Sequence, residues 1–260
     1  MSDIKSKAFI DYLGCKCTYF PESDDDAPII KAYNEARSRG RKEGFLPVIV
    51  TIDDTLWECL IFNSDEENGN KEYVFNPDKV AEYRKNMIEA ELKDGKEVAS
   101  GYLQERREEY EEDYGVDLDE IMGEMDLDGG EYEEESGFAS IWGYGSPRTT
   151  VPLVLAEIPV KNPWEIFAYV PFGAWNECPD TPELMAITKY WYEQYGAVPA
   201  VITHDVLEMS VDETVKEEKA MQLALEMYGF CPDIVDQGCE EVGVLAATLV
   251  KSKTWFFWWD

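Results

Sequence analysis

Trp255-Phe256-Phe257-Trp258-Trp259-Asp260 is the stretch whose reading decides the fold. Five successive aromatic residues leave no polar face on an extended chain. Side chains alternate along a strand, so Trp255, Phe257 and Trp259 point one way and Phe256 and Trp258 the other. A strand that is apolar on both faces is normally covered on both, as central strands of layered α/β sheets are. The stretch is therefore expected to be a central strand between helices.

The chain before it supports a layered α/β reading. Thr214 and Glu217 have the spacing of a capping box for a helix running to Tyr228 and closed by Gly229, and a second helix is expected over 240–250. Leu207, Met209 and Val211 alternate with Glu208 and Ser210, the pattern of a half-buried strand. Residues 198–203 predict another strand, with Pro199 tolerable at its beginning or edge. Thr181 and Pro182 open a helix whose apolar face is Leu184, Ile187, Trp191 and Tyr195 and which Gly196 closes. The order helix, strand, strand, helix, helix, strand predicts an α/β layer around a mixed sheet, with α+β as the alternative.

Further upstream, Asp24-Asp25-Asp26 and Pro28 mark a helix start. Ile29, Ile30, Tyr33 and Ala36 share one face of that helix as far as Gly40. Arg37, Arg39, Arg41 and Lys42 are the dense basic cluster of the chain, placed where a helix end favours positive charge. Residues 46–52 and 56–62 read as two strands separated by Asp53-Asp54, with Tyr73-Val74-Phe75 as a short third. From Asn76-Pro77 the pattern becomes helical through Val80, Tyr83, Met87 and Ala90. Between residues 105 and 135 only Arg106 and Arg107 oppose a run of acids. Asp126-Leu-Asp128-Gly-Gly begins like a calcium loop, but Glu131 stands where such a loop needs glycine. Residues 77–137 are expected to form an inserted helical arm with an acidic tip. Residues 137–150 form a glycine-rich linker, and 151–158 and 165–170 are the next strands. The expected division is 1–76 for an N-terminal helix and strands of the main sheet, 77–150 for the acidic insertion and linker, and 151–260 for the α/β core.

Of the 260 residues 45% are hydrophobic and 13% aromatic, which fits a folded chain. The formal net charge of −32 opposes binding to nucleic-acid phosphates and to anionic membrane surfaces, and leaves a basic protein as the compatible partner. A solvated acidic surface without a partner is the plain alternative. No stretch approaches the roughly 18 apolar residues of a membrane span, and no signal-like apolar run follows Met1. Cys15, Cys17, Cys59, Cys178, Cys231 and Cys239 are scattered, as reduced cytoplasmic thiols are. Cys15-Lys16-Cys17 lacks the further ligands that zinc needs, since the chain has one histidine, His204. No metal or cofactor is expected.

Several motifs carry a likeness. Asn176-Glu-Cys-Pro179, Tyr190-Trp191, Tyr195-Gly196-Ala197, Asp205-Val-Leu-Glu208, Cys231-Pro-Asp233, Asp236-Gln237-Gly238 and Phe257-Trp-Trp-Asp260 resemble the bacterial domain of unknown function 4253 over residues 163–260. Residues 44–60 resemble an upstream strand of the same family, whereas 77–137 lies outside its motifs. The resemblance implies no activity. Some members look like toxin-immunity or interaction proteins, an association by analogy.

Residue types with chemistry are few. His204-Asp205 lies past a predicted strand, where α/β folds often place sites, and a histidine beside carboxylates can act as a base or ligand. Cys178 or Cys231 could pair with His204 as a nucleophile, and the Cys231…Gly238 loop could equally be a structural turn. The candidate binding pocket therefore comprises Trp175, Asn176, Cys178, His204, Asp205, Cys231, Asp233, Asp236 and Gln237. No residue is assigned a catalytic or metal-binding role. The favoured function is non-catalytic protein binding, immunity-like or regulatory, through an acidic surface. The alternative is a small-molecule or metal-assisted hydrolase using His204, Asp205, Asp233 and Asp236.

Overall fold

Leu46-Pro-Val-Ile-Val-Thr51 is crowded with β-branched side chains that stiffen an extended backbone, and it forms a strand at the middle of the sheet. The computed structural model describes residues 4–127 and 137–260. Its strands are β1 (Lys16–Phe20), β2 (Leu46–Thr51), β3 (Leu153–Ile158), β4 (Val198–Ile202), β5 (Val206–Ser210) and β6 (Thr254–Trp258). They make one mixed sheet in the order β1-β3-β2-β4-β5-β6. The β2–β4 pair is parallel and the other four are antiparallel.

The helices are α1 (Ile4–Leu13), α2 (Ala27–Glu43), α3 (Asp54–Ser64), α4 (Pro77–Glu89), α5 (Gly95–Glu97), α6 (Leu103–Tyr114), α7 (Leu118–Ile121), α8 (Thr181–Tyr195), α9 (Glu217–Phe230) and α10 (Val242–Lys251). Strand alternation divides the core between the two sheet faces. Val48, Val50, Val154 and Ala156 face a large core shared with residues of α1, α3, α4, α6, α8, α9 and α10. Ile49, Leu153 and Leu155 face a smaller one under Ile29, Tyr33 and Ala36 of α2, with Phe138 and Ile141. Val80, Val98 and Leu103, from the stretch expected to be an acidic arm, are buried in the large core. Part of the expected tip, and part of the calcium-like Asp126-Leu-Asp128 run, lies outside the described residues.

The mixed sheet with helices on both faces agrees with the α/β expectation, but the position of the aromatic strand does not. β6 is at the sheet edge and pairs only with β5. Trp255, Phe257 and Trp259 are buried on one face as alternation requires, while Phe256 on the other face is 43% exposed. Trp258, half-buried, donates its indole N–H to Asp205 Oδ2 at 3.2 Å. Two-sided hydrophobicity reports a wish for burial, not a lateral position in the sheet. Folded surfaces tolerate exposed apolar side chains.

Other local readings change for identifiable reasons. Residues 56–62 belong to α3, not to a strand. Asp53 caps that helix by accepting the Leu56 N–H at 2.7 Å, and Leu56, Trp57, Leu60 and Ile61 are buried along it. A short apolar run cannot by itself separate a buried helix from a strand. Residues 165–168 fall in a 3₁₀ turn, Pro163–Ala168, fixed by an Asn162–Glu165 capping box, and Tyr169 and Val170 follow it as turn and bend, not strand. Tyr73-Val74-Phe75 is irregular, with Tyr73 at φ +54°. Helix α9 starts after Lys216 without a side-chain cap, so the Thr214–Glu217 box does not form. Helix α2 continues past Gly40 to close at Gly44, φ +81°. A Cβ on Gly40 would lie 2.4 Å from the Phe45 carbonyl oxygen, so the glycine permits a close approach instead of ending the helix. Among the described residues no helix is long and apolar enough to cross a membrane.

Candidate functional site

β2 and β4 are parallel neighbours, so their carboxyl ends emerge on the same side of the sheet, the usual place for ligands in α/β folds. β2 continues through Ile52 into Asp53, the cap of α3. β4 continues into the Thr203-His204-Asp205 turn that leads to β5. Thr203 Oγ1 accepts the backbone N–H groups of Asp205 at 3.1 Å and Val206 at 2.8 Å, which holds this turn in one shape.

His204 stands between two carboxylates. Its Nδ1 is 3.5 Å from Asp53 Oδ1 and its Nε2 is 3.5 Å from Asp205 Oδ2. Hydrogen bonding to Asp53 raises the imidazole pKa above its ordinary value, against the opposing effect of burial. Both carboxylates already serve the fold. Asp53 also accepts the Thr51 hydroxyl at 3.1 Å. Asp205 accepts the Thr203 hydroxyl at 2.7 Å, and its carbonyl accepts the Trp259 N–H at 3.0 Å.

His204 and Asp205 line two clefts. The first, about 570 Å³, lies between Cys59, Phe62 and Asn63 of α3 and the Gly173-Ala174-Trp175 turn. The second, about 480 Å³, is bounded by Trp142, Tyr144, Arg148 and Phe256. The imidazole can hydrogen-bond or protonate a group in either cleft. In the first cleft, burial pushes the Cys59 thiol up to about 11 and the nearby negative charges of Asp53 and Glu58 add to this, so Cys59 is a poor nucleophile.

The structure brings Trp175, His204 and Asp205 to the first cleft and places the other candidates elsewhere. Asn176, at φ +45°, donates its side-chain amide to the Asp260 carbonyl. Asp233 accepts the Asp260 N–H at 3.0 Å and the Gln237 amide at 2.9 Å, and it lines a separate groove of about 200 Å³ with Trp255 and Trp258. Asp236 accepts hydroxyls from Tyr110 at 2.8 Å and Tyr228 at 3.3 Å. Cys178 is buried, and desolvation raises its thiol pKa well above the usual value. Cys231 is buried too, raised by desolvation, and donates to the Trp258 carbonyl at 2.9 Å. His204, Asp205, Asp233 and Asp236 thus do not share one cleft.

Sequence reasoning missed Cys59 and the role of Asp53. The signal was present: an aspartate directly after a β-branched strand is a natural cap for a following helix. Reading 56–62 as a strand concealed it. Among the described residues no group of three or more His, Cys, Asp or Glu side chains is arranged to hold a metal ion.

A family model described as a domain of unknown function (DUF4253) matches residues 154–260. The match begins within β3 and covers all nine sequence-derived candidates, whereas Asp53 and the α3 wall of the first cleft lie outside it. No curated protein and no solved structure matches the chain.

Proposed function

We propose that this protein is a non-catalytic binding factor, immunity-like or regulatory in type, that engages a basic protein through the outer face of α6 and α7. The observation that carries this reading is the direction of the two arginines. Arg106 turns inward and donates to the carbonyls of Gly229 and Glu177, and Arg107 is half-buried in an ion pair with Glu111 at 3.0 Å. Leu103 anchors the same inner face. Glu105, Glu108, Glu109, Glu112 and Asp113 remain exposed on α6, followed by Asp117, Asp119 and Glu120. One positive charge of this segment is turned onto backbone carbonyls and the other is paired with Glu111, so the outward field is acidic and suited to steering a basic partner.

The raised Cys59 thiol and the structurally engaged carboxylates beside His204 support a role of these two clefts without covalent chemistry. Six free cysteines support a reducing, cytoplasmic setting. The test is affinity capture from the native host with intact protein and with a Glu105→Lys, Glu108→Lys, Glu109→Lys, Glu112→Lys variant. Intact protein should recover a basic protein that the variant loses. Recovery of the same protein by both would contradict the reading.

A second reading rests on one separate observation, the sharing of His204 and Asp205 by two clefts. It makes the protein a small-molecule hydrolase with His204 as the acid–base group. A compound that binds with a shift of the His204 imidazole resonances, and is turned over by intact protein but not by His204→Gln, would favour it. Binding without turnover would favour the first reading.

A further inference from the structure

We propose that Cys15 and Cys17 form a redox-active dithiol that exchanges with low-molecular-weight disulfides of the glutathione type. The two Sγ atoms lie 3.9 Å apart. Cys17 is in β1 and Cys15 immediately precedes it. Cys15 stands in the bend just before the strand, and both side chains pack against the large core. Both thiols are half-buried at the margin of the large core, and β1 is an edge strand paired only with β3, so the partial exposure of the thiols is the route by which a small reagent reaches them.

The charge beside the pair is built in. Gly14, at φ +61°, ends α1 and turns the chain toward Cys15. Arg84 of α4 caps that helix end by donating to the carbonyls of Tyr12 at 2.6 Å and Leu13 at 3.3 Å, and its guanidinium lies over the Tyr169 ring. A Cβ on Gly14 would be 3.6 Å from Arg84 Nη1, which places the cation next to the residue preceding Cys15. The contact between the two thiols and the charge of Arg84 lower the Cys15 thiol pKa against the opposing effect of burial, while the same contact and burial raise Cys17. The other four cysteines are all raised by burial. The Arg84 cation acts on Cys15 and not on Cys17, so Cys15 is assigned as the attacking group and Cys17 as the resolving one.

The exchange balances without another reactant. The Cys15 thiolate attacks one sulfur of the disulfide, forming a mixed disulfide and expelling one thiolate, which is protonated. Cys17 then loses its proton and attacks Cys15 Sγ, expelling the second thiolate. The protein loses two electrons and two protons, and the disulfide becomes two thiols.

The experiment treats folded, reduced protein with oxidised glutathione, alkylates the remaining thiols and maps all six cysteines by mass spectrometry. The expected product is a Cys15–Cys17 disulfide that dithiothreitol reverses. Cys17→Ser should instead retain glutathione on Cys15, and Cys15→Ser should react at Cys17 slower by at least about tenfold. Wild-type protein that stays fully reduced, or that holds stable glutathione on either residue without forming the internal bond, would overturn the proposal. That result does not depend on how either variant folds.

Discussion

The indole of Trp191 in α8 stacks on the ring of Phe257 in β6, with centroids 5.5 Å apart and planes 8° from parallel. Trp255 meets the same indole edge-on at 5.9 Å, and Phe230 of α9 meets Phe257 at 4.8 Å. Trp259 closes the group against Phe230 at 5.2 Å. The edge strand is held by this cluster, not by a second neighbouring strand. Phe257→Ala should therefore cost about 3–5 kcal/mol. Phe256→Ala, on the other face, should cost about 1 kcal/mol or less. Urea unfolding of both variants measures the contrast, and equal losses would place the strand's anchorage elsewhere.

Deleting residues 255–260 tests the cluster as a unit. It uncovers Trp191 and Phe230 and leaves β5 as a bare edge. Three buried aromatics represent a gross burial term of about 5–9 kcal/mol, against a whole-domain stability of about 5–15 kcal/mol. The shortened chain should lose its cooperative thermal transition. A transition within a few degrees of the intact protein's would show that β6 is dispensable.

Glu226 carries the polar side of the same region. Its buried carboxylate accepts the Tyr190 hydroxyl at 3.0 Å and the Trp191 indole N–H at 3.2 Å. Glu226→Ala leaves both donors without their acceptor and should destabilise by about 1–3 kcal/mol, whereas Glu226→Gln keeps an acceptor and should cost less. Denaturant midpoints separate the two. Similar losses would show that the acceptor does not matter.

The His204 pair makes a signed pH prediction. Its folded pKa is raised above the unfolded value by Asp53. The stability it contributes is fully present below the unfolded pKa of about 6.5 and is lost as pH rises through the folded value. The stability difference between wild type and His204→Gln should therefore be largest in mildly acidic solution and shrink toward alkaline pH. A difference that grows with pH would contradict the geometry.

Much of the second half of the chain was legible because its signals agree at several levels. Pro182, Leu184, Trp191 and Gly196 supply start, apolar face and stop for one helix, although its cap is Asp180 and not Thr181, which is the first helical residue. Leu207 and Met209 alternate with Glu208 in β5, which is a strand as expected, but it is buried on both faces, Glu208 and Ser210 included, and not half-buried. The aromatic run was legible in its alternation but not in its place, because side-chain pattern carries no information about which strand lies beside it. The site was legible at His204 and Asp205 and hidden at Asp53, whose meaning depends on β2 and β4 being parallel neighbours. That pairing is set by tertiary packing between residues about 150 apart in sequence. Cys231, Asp233 and Asp236 stood out as a motif, yet their partners are Trp258, Asp260, Tyr110 and Tyr228, so the motif marks fold closure.

The central claim is that the acidic face of α6 and α7 steers a basic protein partner. Stopped-flow association with the captured partner, followed from low salt to about 1 M, where the screening length falls to about 3 Å, tests it most directly. The account predicts that the association rate falls by at least about tenfold while the dissociation rate changes little. An association rate that stays flat across that range would contradict it.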